Sequence, residues 1–243
     1  MKTHDLIDDI MEAHGGRTRW RKLEVIVASL SSGGFALTSK LQPFAFRNLK
    51  ISVNPHERRV VFKNFCHEGR RGIWTPTHVQ IRDENDTLVW ERQDPRAQFG
   101  SLAKRLHWDK LDILYFAGYA LWNYLSFPFI LDLVGVSVTQ QPPLNDRSSN
   151  RLVATLDPCI PTHSSTQSFH INTKRQLVQH DYTAEVLGSW AHAANCCLAS
   201  EQVGGFRFYT RRAVYPLMGQ QTVLPFPTLV WIKLDDVNVR MAT

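Results

Sequence analysis

Hydrophobic and polar positions alternate with a period of two over most of this chain, and in one central stretch the alternation stops. Alternation of that kind marks strands with one buried face. Leu23, Val25 and Val27 alternate with Lys22, Glu24 and Ile26, and Leu49, Ile51 and Val53 with Asn48, Lys50 and Ser52. Ser31-Ser32-Gly33-Gly34 reads as a turn leading to a hairpin partner at Phe35–Leu41, and Asn54-Pro55 as a turn into a strand at Arg59–Phe65. Asp83–Asp86 separates the two halves of another hairpin, Val79–Arg82 and Thr87–Glu91. Further strands are expected at Val134–Thr139, Arg151–Leu156, Gln167–Ile171, Leu177–Tyr182, Phe206–Tyr215, Thr228–Leu234 and Val237–Met241. The Ala, Leu and Cys content of Ala184–Ala199 favours a short helix there.

Helical spacing is clear in two segments. Thr3–His14 carries Leu6, Ile7, Ile10 and Met11 on one face and is stopped by Gly15-Gly16, as a glycine C-cap would stop it. The stretch from His107 to Asp132 is of another kind. Between Asp112 and Asp132 there are 19 residues without a charge. On a helical wheel they are apolar nearly all round; Asp112, Tyr119, Asn123 and Ser126 make the one polar wedge. Such a helix must be covered on all sides by lipid or by protein. Asn123, Ser126 and Pro128 lie within the run, its Tyr and Trp residues sit in the middle rather than at two headgroup levels, and both flanks are acidic. These features favour a helix buried in protein over a membrane span. Pro128 is expected to end it, with Phe127 extended.

Strands with one apolar face need a second layer, and an all-round apolar helix needs a concave one. Both needs are met by an α+β fold, mainly antiparallel β, in which a curved sheet wraps a central apolar helix and an amphipathic helix leads the chain. The strands on either side of the helix are expected to join, so residues 1–243 are read as one domain. The loop QPPLNDRSSN after Thr139 is the clearest linker.

Composition changes this picture little. Hydrophobic residues make up 43% and aromatics 11%, enough for a sizeable core. The net charge of +6 is spread over doublets such as Arg58-Arg59, Lys174-Arg175 and Arg211-Arg212, most beside turn signals, where charges are ordinarily solvated. No zinc-finger, recognition-helix or RNA-binding aromatic pattern accompanies them, so nucleic acid is not the expected partner. Cys66, Cys159, Cys196 and Cys197 have neither paired-ligand nor redox spacing, the opening residues lack a signal peptide's apolar core, and a cytoplasmic location with free thiols is the expectation.

The opening EAHGGRTRW, residues 12–20, ends an amphipathic helix in Gly-Gly before a Trp and a first strand. With the order helix, meander, central helix, meander, it resembles the lipoprotein-carrier proteins LolA and LolB and uncharacterised bacterial proteins of that layout. The resemblance implies a half-barrel closed by helices over an apolar cavity. Members of that group are exported or anchored, whereas this chain shows neither signal peptide nor lipobox cysteine, so the implied feature is the cavity rather than lipoprotein trafficking.

The sequence contains no GxSxG, HExxH, GxGxxG or P-loop. His163, His170, His180, Asp181 and His192 share one β region but lack the short spacing of a preassembled metal site, so neither metal nor cofactor is expected. The polar wedge carries more chemistry. Asp112, Tyr119 and Asn123 share a helix face, with Tyr115, Trp122 and Tyr124 beside them, the mixture of apolar surface and a few polar groups that lines ligand pockets. These residues are the expected contacts of an elongated apolar small molecule, acyl or lipid-like. Two alternatives stand beside that reading: an enzyme using the same cavity with Asp112 or His163 as acid/base, and a membrane-surface or protein-interaction module drawing on the basic excess.

Overall fold

The computed structural model describes residues 3–144, 148–219 and 222–242. Helix α1 (Thr3–Ala13) and the short α2 (Arg17–Arg21) precede strands β1 (Leu23–Gly33), β2 (Phe46–Asn54), β3 (Arg59–Lys63), β4 (Arg71–Trp74), β5 (His78–Arg82) and β6 (Leu88–Gln93), with α3 (Phe35–Ser39) between β1 and β2. Helix α4 (Leu102–Leu106) leads to the central helix α5 (Lys110–Ser126). Then follow β7 (Val136–Gln141), β8 (Asn150–Leu156), β9 (Thr166–Ile171), β10 (Leu177–Thr183), β11 (His192–Val203), β12 (Phe206–Met218), β13 (Thr222–Val223) and β14 (Val230–Met241). Of the linker expected after Thr139, residues 145–147 lie outside the described residues.

The strands form one open antiparallel sheet in the order β6-β5-β4-β3-β2-β1-β14-β12-β11-β10-β9-β8-β7, with β13 paired to β12. Two meanders meet where β1 pairs with β14, Leu30 opposite Leu234 and Gly33 opposite Trp231. Helix α5 packs against β2 to β6 on one side and β12 on the other, and its Tyr124 hydroxyl reaches Tyr182 of β10. Ten strands lie from β6 to β10 along that order. Laid flat they would span roughly 40 Å, whereas a helix with its side chains is about 10–12 Å across. One helix reaches both groups of strands because the sheet curves around it. This is the half-barrel that the hydrophobic pattern demanded.

Helix α5 starts where Asp109 caps it and ends before Pro128, with Phe127 extended. Among the described residues, no helix is long and apolar enough to cross a membrane.

Three local expectations are corrected. Residues 35–39 are helix α3 rather than a hairpin strand: Gly34 adopts φ 127°, and the Phe35 and Ala36 amides donate to Thr228 and Leu229 carbonyls instead of to β1. Residues 192–203 are strand β11, because pairing with β10 and β12 on both sides overrides the helical preference of Ala and Leu. In β1 the inward residues are Ile26, Ala28 and Leu30 rather than Val25 and Val27, because a register shift between Leu23 and Val25 exchanges the faces.

Candidate functional site

Helix α5 has two chemically different polar ends and one thinly covered face. At its start, the Asp109 carboxylate accepts from the Leu111 and Asp112 amides, and Asp112 accepts from the Asp109 amide at 2.8 Å, a reciprocal capping box. Arg92 of β6 bridges both carboxylates, at 2.7 Å to Asp109 and 2.6 Å to Asp112, and Lys104 of α4 does the same from the other side. Burial opposes ionisation of Asp109, but hydrogen bonds from Arg92 and Lys104 outweigh it and hold its carboxyl well below the usual range. Asp112 is fully buried beneath this cluster. Its oxygens are committed to tying helix, β6 and α4 together.

Toward the other end, the polar wedge meets the loop between β8 and β9. The His163 ring takes the Tyr119 hydroxyl at Nδ1 (3.1 Å) and the Tyr124 hydroxyl at Nε2 (2.7 Å), and lies flat on the Tyr182 ring at 3.8 Å. Tyr124 and Tyr182 share a further hydrogen bond of 2.7 Å. Burial, aided by the Arg96 charge, pushes the imidazole down to about 3, so it is neutral here and joins one phenol as donor and the other as acceptor. Burial pushes Tyr124 up to about 12 and Tyr119 and Tyr182 well above the ordinary phenol value. The cluster is an uncharged network. Asn123 donates to the Tyr119 and Pro161 carbonyls, both at 2.9 Å; Trp122 donates to the Pro55 carbonyl; Tyr115 is buried between Phe99 and Tyr119 and bonded to Arg96.

On its Gly118 side, α5 is pressed against β4. A Cβ at Gly118 would stand 2.2 Å from Trp74 Cγ, so only glycine permits this approach. The opposite side stands off the sheet. Ile113, Leu114 and Tyr119 are fully buried, whereas Phe116, Ala117, Ala120 and Tyr124 retain 6–8% exposure. They face a cavity whose other walls are Leu30 and Ser32 of β1, Leu37 of α3, Phe46 of β2, Val214 of β12, and Val230 and Ile232 of β14. The space between these walls, its opening to solvent included, is about 440 Å³. Tyr124 and Tyr182 stand at its polar margin.

Of the residues singled out in the sequence, Tyr124 lines this cavity, while Asp112, Tyr115, Tyr119, Trp122 and Asn123 are held in the contacts just described. His170 pairs with Asp181 at 2.7 Å and His180 with Gln167 at 2.6 Å, so these histidines serve separate strand-to-strand contacts. Sequence reasoning missed the strand residues of the cavity wall. It also missed Arg212, which had been read within a solvated doublet. The signal was present: Phe208, Thr210, Arg212 and Val214 fall on alternate positions of one strand, and Arg212 occupies an inward one.

No family model matches the sequence, and no curated protein matches it. Among solved structures, a LolA superfamily protein from Nitrosomonas europaea superposes with a TM-score of 0.51 at 8% identity, covering 99% of this chain and 94% of that one. A DUF1329 family protein from Desulfovibrio piger ATCC 29098 gives 0.48 at 11% identity, covering 97% and 92%. The curved open sheet, its central helix and the first of these superpositions together establish a LolA-like fold.

Proposed function

We propose that this protein binds one elongated apolar molecule, an acyl chain or a lipid-like compound, in the cavity between α5 and strands β1, β2, β12 and β14. The observation that carries the reading is the asymmetry of α5. Glycine draws one side of the helix onto Trp74, and the short side chains of Ala117 and Ala120 leave space unfilled on another. A helix that served as core alone would present larger side chains where the gap is, since interiors are close-packed. The walls are apolar, with Ser32, Tyr124 and Tyr182 as the polar groups, the composition of a small-molecule site. At rest the gap is narrow, and the ligand enters by displacing α3, a five-residue helix whose Leu37 forms one wall. Each buried methylene contributes about 0.8 kcal/mol, so a chain of eight or more carbons offsets the cost of association.

The test is displacement of a fluorescent fatty acid by unlabelled chains of increasing length, with the wild type and Ala120→Leu. The wild type should bind with affinity that rises with chain length, and the leucine should plug the cavity and abolish binding without lowering thermal stability. A folded wild type that binds no acyl ligand below millimolar concentration removes this reading.

A further inference from the structure

Against Tyr124, a residue of the cavity wall, lies a buried arginine that lacks a carboxylate partner among the described residues. Arg212 is 3% exposed. Its neighbour Arg211, on the outer face of β12, pairs with Asp235 at 2.7 Å. Arg212 points inward and meets only neutral acceptors, the Cys197 thiol at 3.4 Å, a weak acceptor, and the Tyr124 carbonyl at 3.5 Å, at the outer limit for a hydrogen bond. The Tyr124 and Tyr209 rings lie 4.7 and 5.2 Å from the guanidinium carbon. A guanidinium carries five N–H donors and cannot shed its charge, and a buried charge is costly unless it is paired.

Beside it, Asn195 of β11 is fully buried; its amide lies near the Tyr124 hydroxyl but makes no hydrogen bond of good geometry. Asn195 pairs with Val214, and Cys197 with Arg212. Asn195 and Arg212 are therefore diagonal neighbours on the inward face, a relationship within reach of long side chains. Val214, opposite Asn195, and Tyr124, whose ring lies against Arg212, both line the apolar cavity. Arg212 also stands opposite Ile232, another wall residue. A buried charge and a poorly satisfied amide thus lie together behind Tyr124, at the boundary of the apolar space.

We propose that Arg212 and Asn195 form the head-group subsite of this cavity, and that its ligand is an aliphatic carboxylate, a free fatty acid rather than a neutral lipid. Resting on the cavity reading above, the assignment gives the ligand a charge and an orientation. The planar fork of the guanidinium matches a carboxylate with two N–H donors, the Asn195 amide donates to the same head, and the chain runs along Ala120 and Ala117 between helix and sheet. The anion supplies the acceptor that Arg212 lacks.

The experiment is competition against phenylnaphthylamine, an uncharged fluorescent probe, by dodecanoate, methyl dodecanoate, dodecanol and dodecyl phosphate. All are kept below micelle-forming concentration, at a pH where the acid is ionised. The wild type should prefer dodecanoate to the ester and the alcohol by about tenfold to a hundredfold, the scale of a charge-assisted hydrogen bond. Arg212→Met should lose that preference while keeping its affinity for dodecanol; Arg212→Lys should keep part of it. Equal wild-type affinities for acid, ester and alcohol overturn the head-group assignment and leave the cavity standing. Tighter binding of dodecyl phosphate than of dodecanoate overturns the carboxylate. If none of the four displaces the probe, the cavity reading itself has failed. The wild-type series decides the matter even if Arg212→Met does not fold.

Discussion

Gly118 on the central helix and Trp74 on β4 are packed so closely that a single methyl group at Gly118 would fall 2.2 Å from the indole Cγ and 2.4 Å from the Trp74 Cβ. Neither atom lies at the far end of a flexible side chain, so the strain of an added methyl must be met by moving helix or strand. Gly118→Ala gains helix propensity yet should destabilise the protein by about 1–3 kcal/mol through overpacking. Urea unfolding of the two proteins checks this, and equal midpoints would show that the helix can shift toward the cavity at no cost.

Asp112 should matter for stability rather than for ligand binding. It is fully buried, caps α5 and holds two cations. Asp112→Ala removes the capping acceptor and leaves Arg92 and Lys104 with Asp109 as their remaining carboxylate, with an expected loss of about 1–3 kcal/mol, the scale of leaving buried donors short of an acceptor. Affinity for an acyl ligand, measured well below the melting temperature, should be unchanged. A folded, stable Asp112→Ala protein that no longer binds ligand would place Asp112 in the site.

Acid should unfold the protein earlier than its carboxylates alone would allow. Burial pushes His163 from 6.5 down to about 3 and His14 down to about 4 in the folded state. Below about pH 6.5 the unfolded chain takes up these protons and the folded chain does not. Stability is therefore full above that pH and falls as the pH drops toward the folded-state values, by about 1.4 kcal/mol per pH unit for each such histidine. In His163→Phe the slope of unfolding free energy between about pH 6 and pH 4.5 should flatten by one proton. A slope identical to that of the wild type would mean that His163 is already protonated in the fold.

The pairing of β1 with β14 makes a further expectation. A fragment ending at Leu144 contains β1 without β14, and the remainder contains β14 without β1. Neither fragment should unfold cooperatively alone, and mixing them should restore a melting transition. Independent cooperative unfolding of each would divide the chain into two domains.

The curved sheet around a central helix was legible because it follows from two simple patterns: strands with one apolar face, and the uncharged run from Ile113 to Leu131. Leu49, Ile51 and Val53 kept their expected inward positions because the irregularity in pairing with β1 falls before them, between Phe46 and Leu49. Residues 35–39 and 192–203 were misread because distant segments decide them, the Thr228–Leu229 backbone for one and two flanking strands for the other. The site was legible only at Tyr124. A helical wheel ranks faces by polarity, and the polar wedge became internal hydrogen bonds, whereas the cavity lies on the face of small residues. Arg212 was hidden because a charged doublet looks solvated until pairing fixes which of its members points inward.

The seam between β1 and β14 also sets an order of events during synthesis. β1 is made near the beginning and finds β2 soon after, but its other edge has no neighbour until β14 has left the ribosome. Through most of translation the nascent chain therefore carries a bare strand edge beside an unfinished hollow, the kind of surface that recruits foreign strands. The last pairing spans nearly the whole sequence, so it is slow to form. Closure of the seam is therefore a late step of folding, and until it occurs the β1 edge stays open to other strands.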